Sequence, residues 1–221
     1  MLFETREWRS ILHQGARSMG LLLAQDQIDQ FVAYGKELVE WKNYINLTAI
    51  TDPLEIAVKH FLDSLAPLPF IPPESSVLDI GSGGGFPGIP LKVVNPDLRI
   101  TLVDASRKKV VFQKHIIRIL KLNEIDAYHV RAEDFIKDVL QDKRGYDVVI
   151  SRAFAKLDDF IRQASAFVPE RGIIIAMKGK RIGVEIKELE SSNTLDGREL
   201  TLKEYALPYL NLKRYLVVIR K

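Results

Sequence analysis

Apolar residues in the first third of the chain recur three and four positions apart. Ile28, Phe31, Val32, Leu38, Val39 and Trp41 follow this spacing, the period of helices that bury one face. A second helix is predicted from Pro53 to about Leu65, with Asp52 as its cap and proline at its first position. Residues 1 to about 70 therefore read as helical, without a strand, and Pro67 to Pro73 reads as a proline-rich linker. Beyond it the pattern changes to short apolar runs alternating with helical stretches. Strands are predicted at Val77 to Ile80, Arg99 to Asp104, Ala127 to Val130, Tyr146 to Ser151 and Gly172 to Met177, and a closing pair at Leu200 to Ala206 and Tyr215 to Ile219. Ser106 is the expected cap of a helix running to about Lys121. Such alternation predicts a mainly parallel sheet covered on both faces. The expected organisation is a helical cap over residues 1–70 and a single compact α/β domain over residues 71–221.

Composition narrows the class. With 221 residues, of which 47% are hydrophobic, the chain can bury one sizeable core. No apolar run approaches the roughly 20 residues that span a bilayer. The first residues carry Glu4, Arg6, Glu7, Arg9 and Arg17 and so do not read as a signal peptide. The absence of cysteine excludes a disulfide framework, cysteine-ligated zinc and a cysteine nucleophile. A cytoplasmic protein, with no membrane partner, is the expectation. The net charge of +3 is modest, but the cations cluster at Arg107, Lys108 and Lys109, at Lys178, Lys180 and Arg181, and at Lys213, Arg214, Arg220 and Lys221. Such clusters are either solvated surface or a nucleic-acid footprint, because phosphates favour grouped cations.

The run V-L-D-I-G-S-G-G-G-F-P-G, Val77 to Gly88, places glycines directly after the first predicted strand. Glycines there let the backbone turn sharply and approach a ligand closely. Gly83, Gly85 and Gly88 match the dinucleotide spacing, so an NAD enzyme has to be weighed. Asp104, about 20 residues further on, ends the second strand and can accept the ribose hydroxyl hydrogens of either NAD or S-adenosylmethionine; alternatively it is an acid placed at a helix N-terminus. Asp79 just before the glycines, Phe86 within them, the closing strand pair, and the lack of room for a second substrate domain favour S-adenosylmethionine. Candidate cofactor residues here are Asp79, Gly81, Gly83 and Asp104.

Three further segments fall at strand ends. R-A-E-D, Arg131 to Asp134, follows the third strand, where Glu133 either meets adenine or sits in the first turn of a helix. S-R-A-F, Ser151 to Phe154, ends the fourth, the place where a methyl acceptor would lie. A buried arginine there is costly unless it meets an anion or an acceptor. M-K-G-K, Met177 to Lys180, ends the fifth. No Asn/Asp-Pro-Pro-aromatic motif follows the fourth strand, and there is no cysteine, so exocyclic-amine and C5-cytosine methylation are disfavoured. A ring nitrogen with a free lone pair, such as guanine N7, needs neither proton removal nor covalent activation. An arginine or lysine could donate to guanine O6 while phosphate contacts hold the RNA.

W-K-N-Y-I-N-L-T (Trp41 to Thr48), K-H-F-L-D-S (Lys59 to Ser64), the glycine loop, S-R-A-F and K-G occur in an order and spacing that resembles the bacterial small-subunit ribosomal RNA methyltransferase G family, also called glucose-inhibited division protein B. The resemblance covers roughly residues 25 to 220. It implies an α/β fold, the Rossmann-like class I S-adenosylmethionine-dependent methyltransferase, with a mainly parallel seven-stranded sheet and a small helical N-terminal extension. It implies methylation of N7 of one guanine in the 530 loop of 16S rRNA, on free rRNA, the 30S subunit or an assembly intermediate, by a monomer. By position it adds Phe86, Ala132, Glu133 and Arg152 to the cofactor residues, and implies a polar pocket of Asn46, His60, Asp63, Arg131, Arg152 and Lys178 near the methyl group. From spacing alone, His60 and Asp63 remain open to a structural role on one helix face, as does Asn46 as a turn cap. An RNA-binding factor without activity and a small-molecule methyltransferase are the other function classes. Lys59 stands where many family members carry arginine, and Lys42 and Asn43 are in reversed order.

Overall fold

The computed structural model describes residues 3–136, 145–152, 156–192 and 194–220. Ala153 and Phe154 of the S-R-A-F segment, and Lys221 of the C-terminal basic cluster, lie outside the described residues. Seven strands form one sheet: β1 Ser76–Ile80, β2 Arg99–Asp104, β3 Ile125–His129, β4 Val148–Arg152, β5 Ile173–Lys178, β6 Glu199–Leu207 and β7 Leu212–Arg220. Their order is β3-β2-β1-β4-β5-β7-β6. The first five pair in parallel, and β7 runs antiparallel to both β5 and β6. The expected seven-stranded, mainly parallel sheet is thus observed. β5 over residues 173–177 and β4 over residues 148–150 are apolar because both faces are covered: every β5 residue from Ile173 to Lys178 is buried.

The helices are α1 Arg6–Ser18 and α2 Gln25–Lys42, then the run 53–65, called α3 here, followed by α4 Gly88–Val94, α5 Arg107–Ile119, α6 Leu157–Ala164 and α7 Ile182–Glu190. α3 is α-helical over Pro53–Glu55 and Asp63–Leu65 but π-helical over Ile56–Leu62. Asp52 caps it as expected, accepting the Glu55 N–H at 2.9 Å. The wider π turn shifts the side-chain register, and such bulges recur at functional sites. Ser106 differs from expectation: its side chain makes no capping bond to α5. Its own N–H is instead taken by Asp104 Oδ1 at 2.8 Å, so the carboxylate, not the hydroxyl, orders the start of the helix. Among the described residues, no helix is long and apolar enough to cross a membrane.

α1, α2, α3, α4 and α5 cover one sheet face; α6 and α7 cover the other. The N-terminal helices share the first core: Trp8, Phe31, Tyr34, Phe61 and Phe86 are buried together with Ile100, Leu102, Val148 and Val218. Trp8 meets Phe61 edge-on at 6.0 Å, and Phe31 meets Phe61 tilted at 4.9 Å. Trp8 Nε1 also donates to the Pro53 carbonyl at 2.8 Å, tying α1 to the start of α3. Truncating Phe61 to alanine would cost about 3–5 kcal/mol, and would loosen the helix that carries His60 and Asp63. The Pro67 to Pro73 stretch is a packed connection with a 3₁₀ turn at Leu68–Phe70 and a buried Ile71.

Candidate functional site

The parallel strands reverse order between β1 and β4, and a crevice opens at their carboxyl ends, where α/β sheets bind ligands. The loop after β1 forms its centre. Gly81, Gly83 and Gly85 have φ of 70°, 59° and 94°, a region that favours glycine. A Cβ on Gly83 would meet nothing closer than the Gly81 carbonyl at 3.9 Å, so the loop leaves open space above it. Gly88 answers a different need, since a Cβ there would lie 2.3 Å from Leu102 Cδ2; its absence lets α4 press onto β2. Buried Gln113 of α5 braces the loop by donating to Ser82 Oγ at 2.9 Å and the Gly83 carbonyl at 2.7 Å. Ser151 Oγ donates to the Ile80 carbonyl at 2.6 Å.

Asp79 and Asp104 hold the loop from below and beside. Asp79 Oδ2 accepts the Gly88 N–H at 2.9 Å, while Oδ1 is buried without a protein partner. Burial pushes this carboxyl up to about 7, against the opposing effects of the Gly88 N–H and Arg152. Asp104 Oδ2 accepts the Gly83 N–H at 2.9 Å. Each Asp104 oxygen thus accepts one backbone N–H and keeps further acceptor capacity, and the residue lines a cavity of about 210 Å³ with Ile80, Gly81, Val103, Arg131, Ala132, Glu133 and Gln163. Residues 132–136 are helical, so Glu133 stands in a first turn and also rims the cavity. Gln163 of α6 donates to Glu133 Oε1 at 2.7 Å. An apolar wall of Ile80, Val103 and Ala132, with the Asp104 and Glu133 carboxylates at its edge, has the chemistry to hold an adenosine.

A second cleft, of about 350 Å³, adjoins the ends of β4 and β5 and is lined by Lys59, His60, Asp63, Arg152, Met177, Lys178, Tyr205 and Arg214. Arg152 organises it. Its Nη1 donates to the Lys59 carbonyl at 2.8 Å, its Nη2 meets His60 Nδ1 at 3.1 Å, and its guanidinium lies 4.9 Å over the Phe86 ring. Asp63 Oδ2 is 3.8 Å from both Arg152 Nη1 and Arg214 Nε. Burial lowers the pKa of Arg152, and Asp63 and then Asp79 oppose the shift. Asp63 itself is raised by burial, held back by Arg152, Tyr205 and Arg214. His60 is pushed down to about 3 by burial and by the Arg152 and Lys59 cations, so it is neutral. Phe86 is sandwiched between His60, at 4.6 Å, and Tyr34, at 5.2 Å, both nearly parallel to it. Tyr34 also donates to the Gly84 carbonyl, which couples the glycine loop to α2.

The structure therefore brings Arg152, His60, Asp63 and Lys178 together in one cleft, and Asp104, Gly81, Ala132 and Glu133 in the other. Arg131, expected near the methyl group, is exposed and lines the cavity that holds Asp104. Asn46 is exposed on the loop after α2 and is not among the residues that line the Arg152 cleft. Lys178 corrects the reading of its basic cluster: it is buried and donates to Glu185 Oε2 at 2.7 Å, so it is not a solvated cation awaiting a phosphate.

The family described as rRNA small subunit methyltransferase G matches residues 27–211. The chain belongs to that family. Among curated relatives, the ribosomal RNA small subunit methyltransferase G of Geotalea uraniireducens is 41% identical over 214 residues, covering 96% of each chain. That of Desulforamulus reducens is 42% identical over 213 residues, covering 95% of this chain and 88% of the relative. Solved structures share the fold at low identity. A precorrin-6y C5,15-methyltransferase from Geobacter metallireducens aligns with a TM-score of 0.52 at 15% identity, over 72% of this chain and 85% of its own. The fibrillarin/Nop5p complex aligns at 0.55 and 17%, over 73% and 84%. Membership in the methyltransferase G family fixes the reaction class, and the class I methyltransferase fold agrees with the observed strand order.

Several participants have no signal in the sequence of this methyltransferase G family member that motif reading could use. Thr48, Tyr205, Arg214 and Glu185 touch the functional side chains across 12, 142, 151 and 7 positions respectively, counted from their partners His60, Asp63, Asp63 and Lys178. Thr48 lay within W-K-N-Y-I-N-L-T and Arg214 within a basic cluster, but neither position pointed to His60 or Asp63 as its partner.

Proposed function

We propose that this chain transfers a methyl group from S-adenosylmethionine to N7 of a guanine in the 530 loop of 16S rRNA. It acts as a cytoplasmic monomer on the 30S subunit or an intermediate in its assembly. The observation that carries the reading is the juxtaposition, at one switch point of the sheet, of a cavity edged by Asp104 and Glu133 against a cleft organised by a half-buried arginine held by two hydrogen bonds. S-adenosylmethionine supplies an electrophilic methyl group on its sulfonium.

The residues of the chain do the rest. Asp104 accepts ribose hydroxyl hydrogens, and Glu133, steadied by Gln163, faces the adenosine beside Ala132. Gly81 and Gly83 allow close backbone approach, and Asp79 fixes the loop through Gly88. Phe86, packed between two rings, forms the rigid partition between cofactor loop and cleft. Guanine N7 carries a free lone pair, so no general base is needed. That agrees with a neutral His60 whose two ring nitrogens are already engaged. Arg152 has donors beyond those bound to Lys59 and His60, and these, with Arg214, meet guanine O6 or an adjoining phosphate. Asp63 balances both cations. Lys178, paired with Glu185, fixes the floor of the cleft. Asn46 and Arg131, at exposed positions, contact the RNA and the outer edge of the cofactor. The rate enhancement comes from in-line positioning of N7 against the methyl group.

Isothermal titration tests the cofactor half of the reading. Binding of S-adenosylmethionine and its demethylated product, with NAD binding negligible, is the expected result. NAD binding tighter than S-adenosylmethionine would overturn it.

A further inference from the structure

Thr48 precedes α3 by a few residues, yet its hydroxyl lies at the far end of the chain of contacts that aims Arg152. Thr48 Oγ1 lies 2.9 Å from His60 Nε2 and accepts the Ile50 N–H at 3.0 Å. On the other side of the imidazole, His60 Nδ1 meets Arg152 Nη2 at 3.1 Å. A guanidinium can only donate, so Nδ1 must accept. A neutral imidazole that accepts at Nδ1 carries its proton on Nε2. The Nε2–H then points at Thr48 Oγ1, whose two lone pairs are taken by Ile50 and His60. The opposite tautomer would set the Nδ1 proton against the Arg152 N–H. An imidazolium would do the same, and the neighbouring Lys59 and Arg152 cations oppose it.

We propose that Thr48 is a positioning residue for methyl transfer: by accepting the Nε2 proton it locks His60 as the acceptor that holds the Arg152 guanidinium in the cleft. This rests on the methyl-transfer reading above. It gives His60 a structural duty in the reaction and removes it from proton transfer. Other groups around the imidazole do not offer the same hold. Phe86 stacks on one face of the ring at 4.6 Å, and Asp63 on the same helix is engaged by Tyr205 at 2.7 Å. Thr48 is absent from the lining of the adenosine cavity, so its effect falls on the transfer step and not on cofactor affinity.

The test uses the full chain and two variants. Thr48→Val keeps the shape but removes the acceptor; Thr48→Ser keeps the acceptor and removes a methyl group. Nitrogen-15 NMR reads the His60 tautomer, its signal assigned as the one missing in His60→Gln. In the wild type the expected pattern is an Nε2–H imidazole that does not titrate between about pH 5 and 8. Thr48→Val is expected to reduce kcat roughly ten- to hundredfold, the scale of a misplaced contact, with S-adenosylmethionine affinity unchanged and the Nε2–H pattern lost. Thr48→Ser is expected to retain both the tautomer and most of the rate. An Nδ1–H tautomer or a titrating His60 in the wild type would overturn the proposal. So would a Thr48→Val enzyme of normal kcat, or a Thr48→Ser enzyme as impaired as Thr48→Val. Should Thr48→Val fail to fold, the wild-type tautomer and the Thr48→Ser rate decide. If the wild type transfers no methyl group to rRNA, the methyl-transfer reading fails, while the tautomer measurement still reports on Thr48.

Discussion

Replacing Tyr205 by phenylalanine removes one hydroxyl and leaves the ring. That hydroxyl donates to Asp63 Oδ1 at 2.7 Å, and it is the direct hydrogen bond among the contacts described for this buried carboxylate; Arg152 and Arg214 stand further off, at 3.8 Å. A hydrogen bond to a charged group contributes about 1.5–3 kcal/mol. For a chain of this length each kcal/mol corresponds to about 2–4 °C in melting temperature, so Tyr205→Phe should melt roughly 3–12 °C lower. The pH dependence has a defined sign. Burial raises the Asp63 carboxyl above its ordinary value, and Tyr205 is one of the groups holding it down. The folded protein therefore binds this proton more tightly than the unfolded chain does. The associated penalty is absent at low pH, where Asp63 is protonated in both states, and grows as pH rises to the folded pKa. Removing the Tyr205 hydroxyl raises the Asp63 carboxyl further and enlarges that penalty. The deficit of Tyr205→Phe is thus complete only above the variant's own, higher, folded pKa and shrinks on acidification. Thermal unfolding by circular dichroism across a pH series measures it. A deficit below about 0.5 kcal/mol, the scale of an ordinary surface change, or one that widens in acid, would refute the account of this network.

Arg152→Lys keeps the charge but not the planar fork; methyl transfer should fall at least about tenfold while the melting temperature stays close to wild type, and near-normal transfer would show that only the charge matters. Arg152→Ala is the harsher variant: stranding the buried Asp63 beside Arg214 alone should add a loss of about 3–5 kcal/mol, visible in chemical denaturation. Gly83→Val should abolish S-adenosylmethionine binding in titration calorimetry, since its φ of 59° disfavours valine and the new side chain enters the open space above the loop. RNA affinity should fall steeply with salt, and reversing the exposed Arg107 or Lys108 to glutamate should make the log-log slope shallower by roughly 0.7–0.9 per lost phosphate contact; a slope unchanged by either reversal would make that cluster ordinary solvated surface.

The hydrophobic pattern was enough for the seven strands and for α2, α3 and α5, whereas α6 and α7 were not singled out from it. Strand ends moved by one to three residues: β3 begins at Ile125 and β4 at Val148, since pairing with β2 and β1 decides where each ends. The π turn in α3 could not be read, because a helical stripe looks the same until packing widens it. The glycine loop and Asp104 were legible as a local pattern with a fixed offset. The Arg152 cleft was legible only through its motif segments, since Tyr205 and Arg214 reach it from β6 and β7, more than 140 positions beyond Asp63. Lys178 shows the limit of counting cations: only the fold reveals Glu185 beside it.

The central claim is methyl transfer to guanine N7 at one place in 16S rRNA. The most direct measurement incubates the chain with tritiated S-adenosylmethionine and, in parallel, 30S subunits, naked 16S rRNA and free nucleosides. Labelled nucleosides are then identified by chromatography and mass spectrometry, and the modified position is mapped by chain scission at N7-methylguanine. The account predicts a single labelled N7-methylguanine within the 530 loop, with free nucleosides unlabelled. Label on another base or another atom, or preferential methylation of free nucleosides, would contradict it.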